Sequence, residues 1–228
     1  MFSVSSLLRR MTMAHRIAFI SQSGNVMKTS LAFGMAVEGV RNGLNVVTCD
    51  LDREHRSLAG HRKQRVDMEI EPLFPVIEAE NAQEALRNGT GADLYLIDCP
   101  SRATAATVDV AKGVDLAVQP TTTSRKDLDL AIKTFYQIVQ AGVPVERLLF
   151  VITRASTAAR LREAQEYLSK AAINGQHFAI LSTPIWERAG YEMAINDGFS
   201  IVETTYPSLN TASKAAIHEI LTRCLRHD

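Results

Sequence analysis

Cysteine is scarce in this sequence of 228 residues. Cys49, Cys99 and Cys224 are scattered and odd in number. That excludes a disulfide framework, predicts no metal-ligand cluster and suits a reducing cytoplasm. The six histidines show no metal-ligand spacing either. Net charge is also missing: 25 Lys and Arg balance 25 Asp and Glu, so no bulk field announces a nucleic acid or a membrane. No apolar run is long enough to span a bilayer. Repeats, low-complexity tracts and a clear linker are absent. The single tryptophan, Trp186, reads as a filler of the core edge.

What is present is one domain's worth of apolar sequence, 46% of the chain. Residues 1–14 read as a disordered or artificial leader. Their Leu7-Leu8 precedes Arg9-Arg10, the reverse of an export signal; a small amphipathic anchor is the alternative. The domain is read over residues 15–228. There, short apolar runs alternate with helical patterns. Ile17–Ile20, Leu44–Cys49, Leu94–Ile97, Leu116–Gln119, Leu148–Ile152 and His177–Leu181 read as strands, with a shorter one at Phe74–Ile77. Helices are expected from Lys28 to Asn42, 81 to 88, Ala103 to Lys112, Lys126 to Gln140, Ala158 to Ala172 and Ser208 to Arg226. The charged segment Arg53 to Arg65 reads as an exposed loop with helical pieces. The alternation predicts an α/β fold, a mostly parallel twisted sheet with helices on both faces. Ligands of such sheets bind at the carboxyl ends of strands.

The most informative run is Ser21-Gln22-Ser23-Gly24-Asn25-Val26-Met27-Lys28-Thr29-Ser30, between the first strand and the first helix. A strand, a polar loop ending in Lys-Thr and a helix form the layout of a phosphate-binding loop. Its N–H groups and the positive helix end would hold phosphate oxygens. Lys28 would reach the outer phosphates, and the Thr29 hydroxyl would sit on magnesium. The general pattern asks for glycine where this chain has Gln22 and Met27. Three carboxylates sit at strand ends: Asp50 and Asp52 close the second strand, and Asp98 closes the strand Leu94–Ile97. One suits a magnesium shell and another the orientation of an attacking water. Taken singly, each reads first as a turn former or helix cap; together with the loop, the three point to function.

The ordered set resembles the deviant Walker-type ATPases of the ParA/MinD class, which position plasmids, chromosomes and division proteins. Their loop N-Q-K-G-G-V-G-K-T-T aligns with Ser21 to Ser30. Their D-x-D aligns with Asp50-Leu51-Asp52 and their D-x-P with Asp98-Cys99-Pro100. Pro120 to Leu128 is similar to their P-x-x-x-S-x-x-D-L stretch, and Thr183 to Gly198 to the region before their last helix. The resemblance implies a P-loop NTPase that binds ATP and Mg2+. Ser23, Gly24, Asn25, Val26, Met27, Lys28, Thr29, Ser30 and Arg154 would contact the nucleotide. Thr29, Asp50 and Asp98 would hold the metal, and Asp52 and Lys28 would serve catalysis. The family's signature lysine falls at Ser23, and Asn25 and Met27 replace two glycines. Hydrolysis is therefore expected to be weak, with Arg125 or Lys126 as candidates for a compensating charge.

The resemblance further implies an ATP-dependent homodimer in the cytoplasm or on the nucleoid. A partner protein would join it in a plasmid partition or conjugative-transfer complex. Non-specific DNA binding would run through Arg160, Arg162, Lys170, Arg188, Lys214, Arg223, Arg226 or the basic stretch 53–65. The alternative is a non-hydrolysing or nucleotide-free scaffold of the same complex.

Overall fold

A computed structural model describes residues 15–101 and 105–225. The leader, the start of the helix read from Ala103, and Arg226 lie outside these residues.

The chain alternates as its sequence predicts. Strand β1 (His15–Phe19) leads to α1 (Lys28–Arg41), then β2 (Val46–Asp50), α2 (Ser57–Asp67), β3 (Val76–Glu78), α3 (Ala82–Arg87) and β4 (Leu94–Asp98). Helix α4 (Ala105–Lys112), β5 (Leu116–Thr121), α5 (Arg125–Gln140), β6 (Leu148–Ala155) and α6 (Ala158–Ser169) follow. The last part holds four two-residue strands, β7 (Ala172–Ile173), β8 (Gln176–His177), β9 (Ala179–Ile180) and β10 (Ile185–Trp186), then α7 (Ala189–Asn196) and α8 (Pro207–Cys224). The main sheet runs β10-β6-β5-β1-β4-β2-β3 with β9 beside β6, and every pairing in it is parallel. The pair β7-β8 is antiparallel and separate. The single strand expected over His177–Leu181 is thus split between two sheets, and α7 is a helix that the apolar pattern did not reveal.

Strand periodicity explains the two layers. In β1, Ala18 and the following Ile20 face one core, while Ile17 and Phe19 face the other. In β4, Tyr95 and Ile97 join the first, and Leu94 and Leu96 the second. A strand buried on both faces needs apolar residues at every position, which is why these runs look continuous in sequence. Helices α3 to α6 supply Ala85, Val110, Phe135 and Leu168 to the first core. Helices α1, α2, α7 and α8 supply Met35, Leu58, Tyr191 and Ile217 to the second. Gly34 lets α1 pack closely on the segment before α8 and on α8 itself, since a Cβ there would lie 2.8 Å from Ile201 Cγ1 and 3.4 Å from Ile217 Cδ1.

Register places the site. Phe19 pairs with Asp98, and Asp98 with Asp50. The carboxyl ends of β1, β4 and β2 therefore stand abreast, with the β1–α1 loop directly above them.

Candidate functional site

The loop between β1 and α1 keeps a glycine-type backbone without the glycines. Asn25 and Met27 both have φ of 61°, the left-handed region that costs an ordinary L-residue about 1–2 kcal/mol. Asparagine tolerates it; methionine does so only because the surroundings hold it. Ser21 Oγ accepts the Ser23 N–H at 2.9 Å and donates to the Ser23 carbonyl at 2.7 Å. The Thr153 hydroxyl of β6 donates to the Val26 carbonyl at 3.0 Å. These ties fix the loop from both sides.

Lys28 and Thr29 open α1 and meet on one carboxylate. Lys28 Nζ lies 2.8 Å from Asp98 Oδ1, and the Thr29 hydroxyl donates to Asp98 Oδ2 at 2.7 Å. Lys28 is only 5% exposed, so its charge needs this partner. The adjoining hydroxyl and carboxylate are hard oxygen donors of the kind magnesium takes, alongside waters and phosphate oxygens. The donor set at Thr29 and Asp98 fits that ion.

Asp50 is placed differently. Its Oδ1 accepts the Asp52 N–H and its Oδ2 the Ala59 N–H, both at 3.0 Å. Burial raises its carboxyl above the ordinary range, with the N–H bonds opposing. Both oxygens are thus engaged by the backbone that turns β2 into α2, and Asp50 acts here as a cap. Asp52, by contrast, lines the cavity over the loop. Its Oδ1 lies 3.2 Å from the His55 N–H and 3.3 Å from the His55 ring. Burial pushes its carboxyl up, but the His55 bonds and Lys28 outweigh that and leave it low. It remains an anion, able to accept a proton or orient a water.

Ser23 hydrogen-bonds Asp127 Oδ1 of α5 at 2.7 Å. The other oxygen of Asp127 accepts from Thr122 and Ser124. Ser23 therefore joins the cap of α5 and brings no charge to the loop. Arg125 does not compensate, because its guanidinium lies over the Tyr167 ring at 3.6 Å. The cation beside the loop is Arg154, at the end of β6 with φ of 51°. Its Nη2 donates to Asn25 Oδ1 at 2.8 Å, and its buried Nε has no hydrogen-bond partner. The resemblance places Arg154 at the nucleotide but gives the compensating charge to Arg125 or Lys126.

The loop residues Ser23 to Ser30, Asp52 and Arg154 line a cavity of about 690 Å³. Trp186, Tyr191 and His61 form its other wall. His61 packs on Phe33, and burial lowers its imidazole. Sequence reasoning missed His55 and His61, which sat in a stretch read as an exposed basic loop. Most of that stretch is α2. Arg65 is wholly buried and bidentate on Glu203, while Arg53 and Arg56 pair with Glu80. Internal pairing thus takes much of the charge that suggested a DNA surface. Of the other basic candidates, Lys214 faces Glu38, Lys170 pairs with Glu166, Arg188 lies over Trp186 and Arg223 reaches the Glu146 carbonyl. Arg160 and Arg162 are exposed on α6. No helix of the described residues is long and apolar enough to cross a membrane.

The parallel sheet with a strand–loop–helix closing on Lys-Thr is the fold of a P-loop NTPase. Within that class it is the fold of the MinD/ParA-type ATPases. MinD from Pyrococcus horikoshii OT3, complexed with Mg-ADP, is similar with a TM-score of 0.69 at 17% identity, over 91% of this chain and 95% of that one. A protein assigned to plasmid partition in Borrelia burgdorferi B31, bound to AMPPNP, is similar with a TM-score of 0.69 at 14% identity, over 92% and 99%. The MinC:MinD cell division complex of Aquifex aeolicus gives 0.67 at 15% identity, over 90% and 93%. No protein-family model matches the sequence, and no curated protein matches it either.

Proposed function

We propose that this chain is a ParA-like nucleotide-binding protein, a slow Mg-dependent ATPase that acts as a switch. One observation carries the reading: Lys28 and Thr29 share Asp98 beneath a loop whose Asn25 and Met27 hold the left-handed backbone of a phosphate cradle. The loop N–H groups, Lys28 and Arg154 bind the phosphates. Thr29 and Asp98 would hold Mg2+, which would neutralise phosphate charge. Asp52, kept anionic, orients water for hydrolysis. Turnover is slow because Ser23 is neutral and committed to Asp127, which removes a charge that would stabilise the transferring phosphoryl group. The similar structures with Mg-ADP and AMPPNP support the choice of ligand. As the resemblance in sequence motifs implies, the protein dimerises on ATP; the MinC:MinD complex supports its working with a partner protein. Its cargo is plasmid DNA or a DNA-transfer complex, with phosphate contacts through residues such as Arg160 and Arg162.

Calorimetric titration with Mg-ATP and Mg-ADP, with phosphate release in parallel, tests this. Micromolar binding by the wild type and at least a hundredfold loss in Lys28→Ala are expected. Equal affinity in the two proteins overturns the assigned site. The Ser23–Asp127 bond favours one second reading, a nucleotide-binding scaffold; binding without phosphate release would select it.

A further inference from the structure

A second group of side chains with ligand atoms gathers at the amino ends of the central strands β1 and β5, the opposite end from the phosphate loop. His15 opens β1, Asp115 immediately precedes β5, and Cys224 ends α8. About a hundred residues separate each from the next in sequence. Yet one ligand atom from each, an imidazole nitrogen, a carboxylate oxygen and the thiol sulfur, lies within 4.8 Å of the other two. His15 is 3% exposed and Cys224 1%.

All three stand on or beside fixed backbone. The His15 N–H donates to the Asp93 carbonyl at 3.0 Å, and the Asp115 N–H to the Arg16 carbonyl at 2.9 Å. The Asp115 side chain is oriented as well: its Oδ2 accepts the Arg16 N–H at 2.7 Å, leaving Oδ1 available to a ligand. An outer hydrogen bond of this kind fixes a ligating carboxylate.

We propose that His15, Asp115 and Cys224 form a binding site for a zinc-class divalent metal. The donor types decide the class. A thiol and an imidazole are poor ligands for magnesium or calcium, which take oxygens. Sulfur, nitrogen and one carboxylate oxygen suit zinc, with ligand bonds of about 2.0–2.3 Å and a fourth position left for water. In a tetrahedron such ligands stand roughly 3.3–3.7 Å apart, so small rotations of side chains already within 4.8 Å close the shell. Binding converts the Cys224 thiol to a thiolate and releases its proton to solvent. The bound metal ties the last turn of α8 to the starts of β1 and β5. It stabilises the fold by mass action.

The test uses the full chain, reduced and stripped of metal, titrated with Co2+ and then with Zn2+. One equivalent of Co2+ should produce a thiolate-to-cobalt charge-transfer band that Zn2+ abolishes and excess Mg2+ does not. Cys224→Ser should remove the band, and His15→Gln should weaken Co2+ binding at least tenfold. Asp115→Asn gives a third reading should Cys224→Ser fail to fold, with a weakening of the same order. No band in the wild type, a band that persists in Cys224→Ser, or unchanged affinity in both His15→Gln and Asp115→Asn overturns the proposal.

Discussion

The two ends of β1 gather their chemistry in different ways. At the carboxyl end, Ser21 to Ser30 are consecutive, and the charge they bring is met at once by Asp98 of the neighbouring strand. At the amino end, His15 meets Asp115 and Cys224 from distant parts of the chain. The first end is polar, lined by an open cavity and held with backbone strain at Asn25 and Met27. The second is mostly buried and rests on ordinary strand and helix termini. Buried groups are common to both ends, since Lys28 and Asp98 are 5% and 0% exposed; what differs is the open cavity over the first. For the small ion proposed at the second, enclosure and the right donors suffice.

The largest effect that sharpens this contrast lies at Asp98. Asp98→Ala leaves the Lys28 ammonium buried without its partner. Losing half of a buried pair costs about 3–5 kcal/mol, so urea unfolding should show a loss of that order. Added inorganic triphosphate should restore part of it by replacing the anion. At the other end, Asp115 is only partly buried and its Oδ2 is met by a backbone N–H. Asp115→Ala in the metal-free protein should cost about 1–3 kcal/mol. Equal losses for the two variants would erase the difference between the ends.

The same contrast explains what was legible in the sequence. The phosphate loop is local, so ten consecutive residues displayed it, and the strand-end aspartates marked its neighbours. The doubly buried strands showed themselves as continuous apolar runs. The role of Asp50 was not legible, because it depends on an Ala59 N–H that returns to it only after the turn into α2. The stretch 53–65 looked like a basic surface because its partners, Glu80 and Glu203, lie well downstream. Cysteine count and histidine spacing predicted no metal-ligand cluster. Linear spacing is blind to His15, Asp115 and Cys224, which only the order of strands and the last helix bring together.

A smaller effect concerns the residue that makes this loop unusual. Asp127 is pushed up by burial but held low, on balance, by hydroxyl bonds from Thr122, Ser23 and Ser124. A lowered carboxyl contributes stability that is present above its unfolded pKa of about 3.9. That stability is lost as pH falls through the lowered folded value. Ser23→Ala removes one of the three bonds. Carboxyl-carbon NMR titration should show Asp127 moving up toward the ordinary range. Stability at neutral pH should fall by about 0.5–1.5 kcal/mol, and the difference from wild type should shrink in acid. An unmoved Asp127 would mean that Ser23 is free to serve the loop.

The smallest expected effect asks whether the two ends act on each other at all. Five residues of β1 separate them, roughly 16 Å of strand. Sites more than about 10 Å apart with no shared partner usually add within about 0.5 kcal/mol. Lys28 contacts Asp98, whereas Cys224 meets His15 and Asp115, so they share no partner in these contacts. Lys28→Ala and Cys224→Ala should therefore be additive in a double-mutant cycle of unfolding free energies, measured without nucleotide or metal. Coupling above about 1 kcal/mol would require β1 to carry strain from its amino end to its carboxyl end. The bond from the Arg16 N–H to Asp115 would then be the first link to cut, because it joins the second residue of β1 to the amino-end group while the same strand runs on to the phosphate loop.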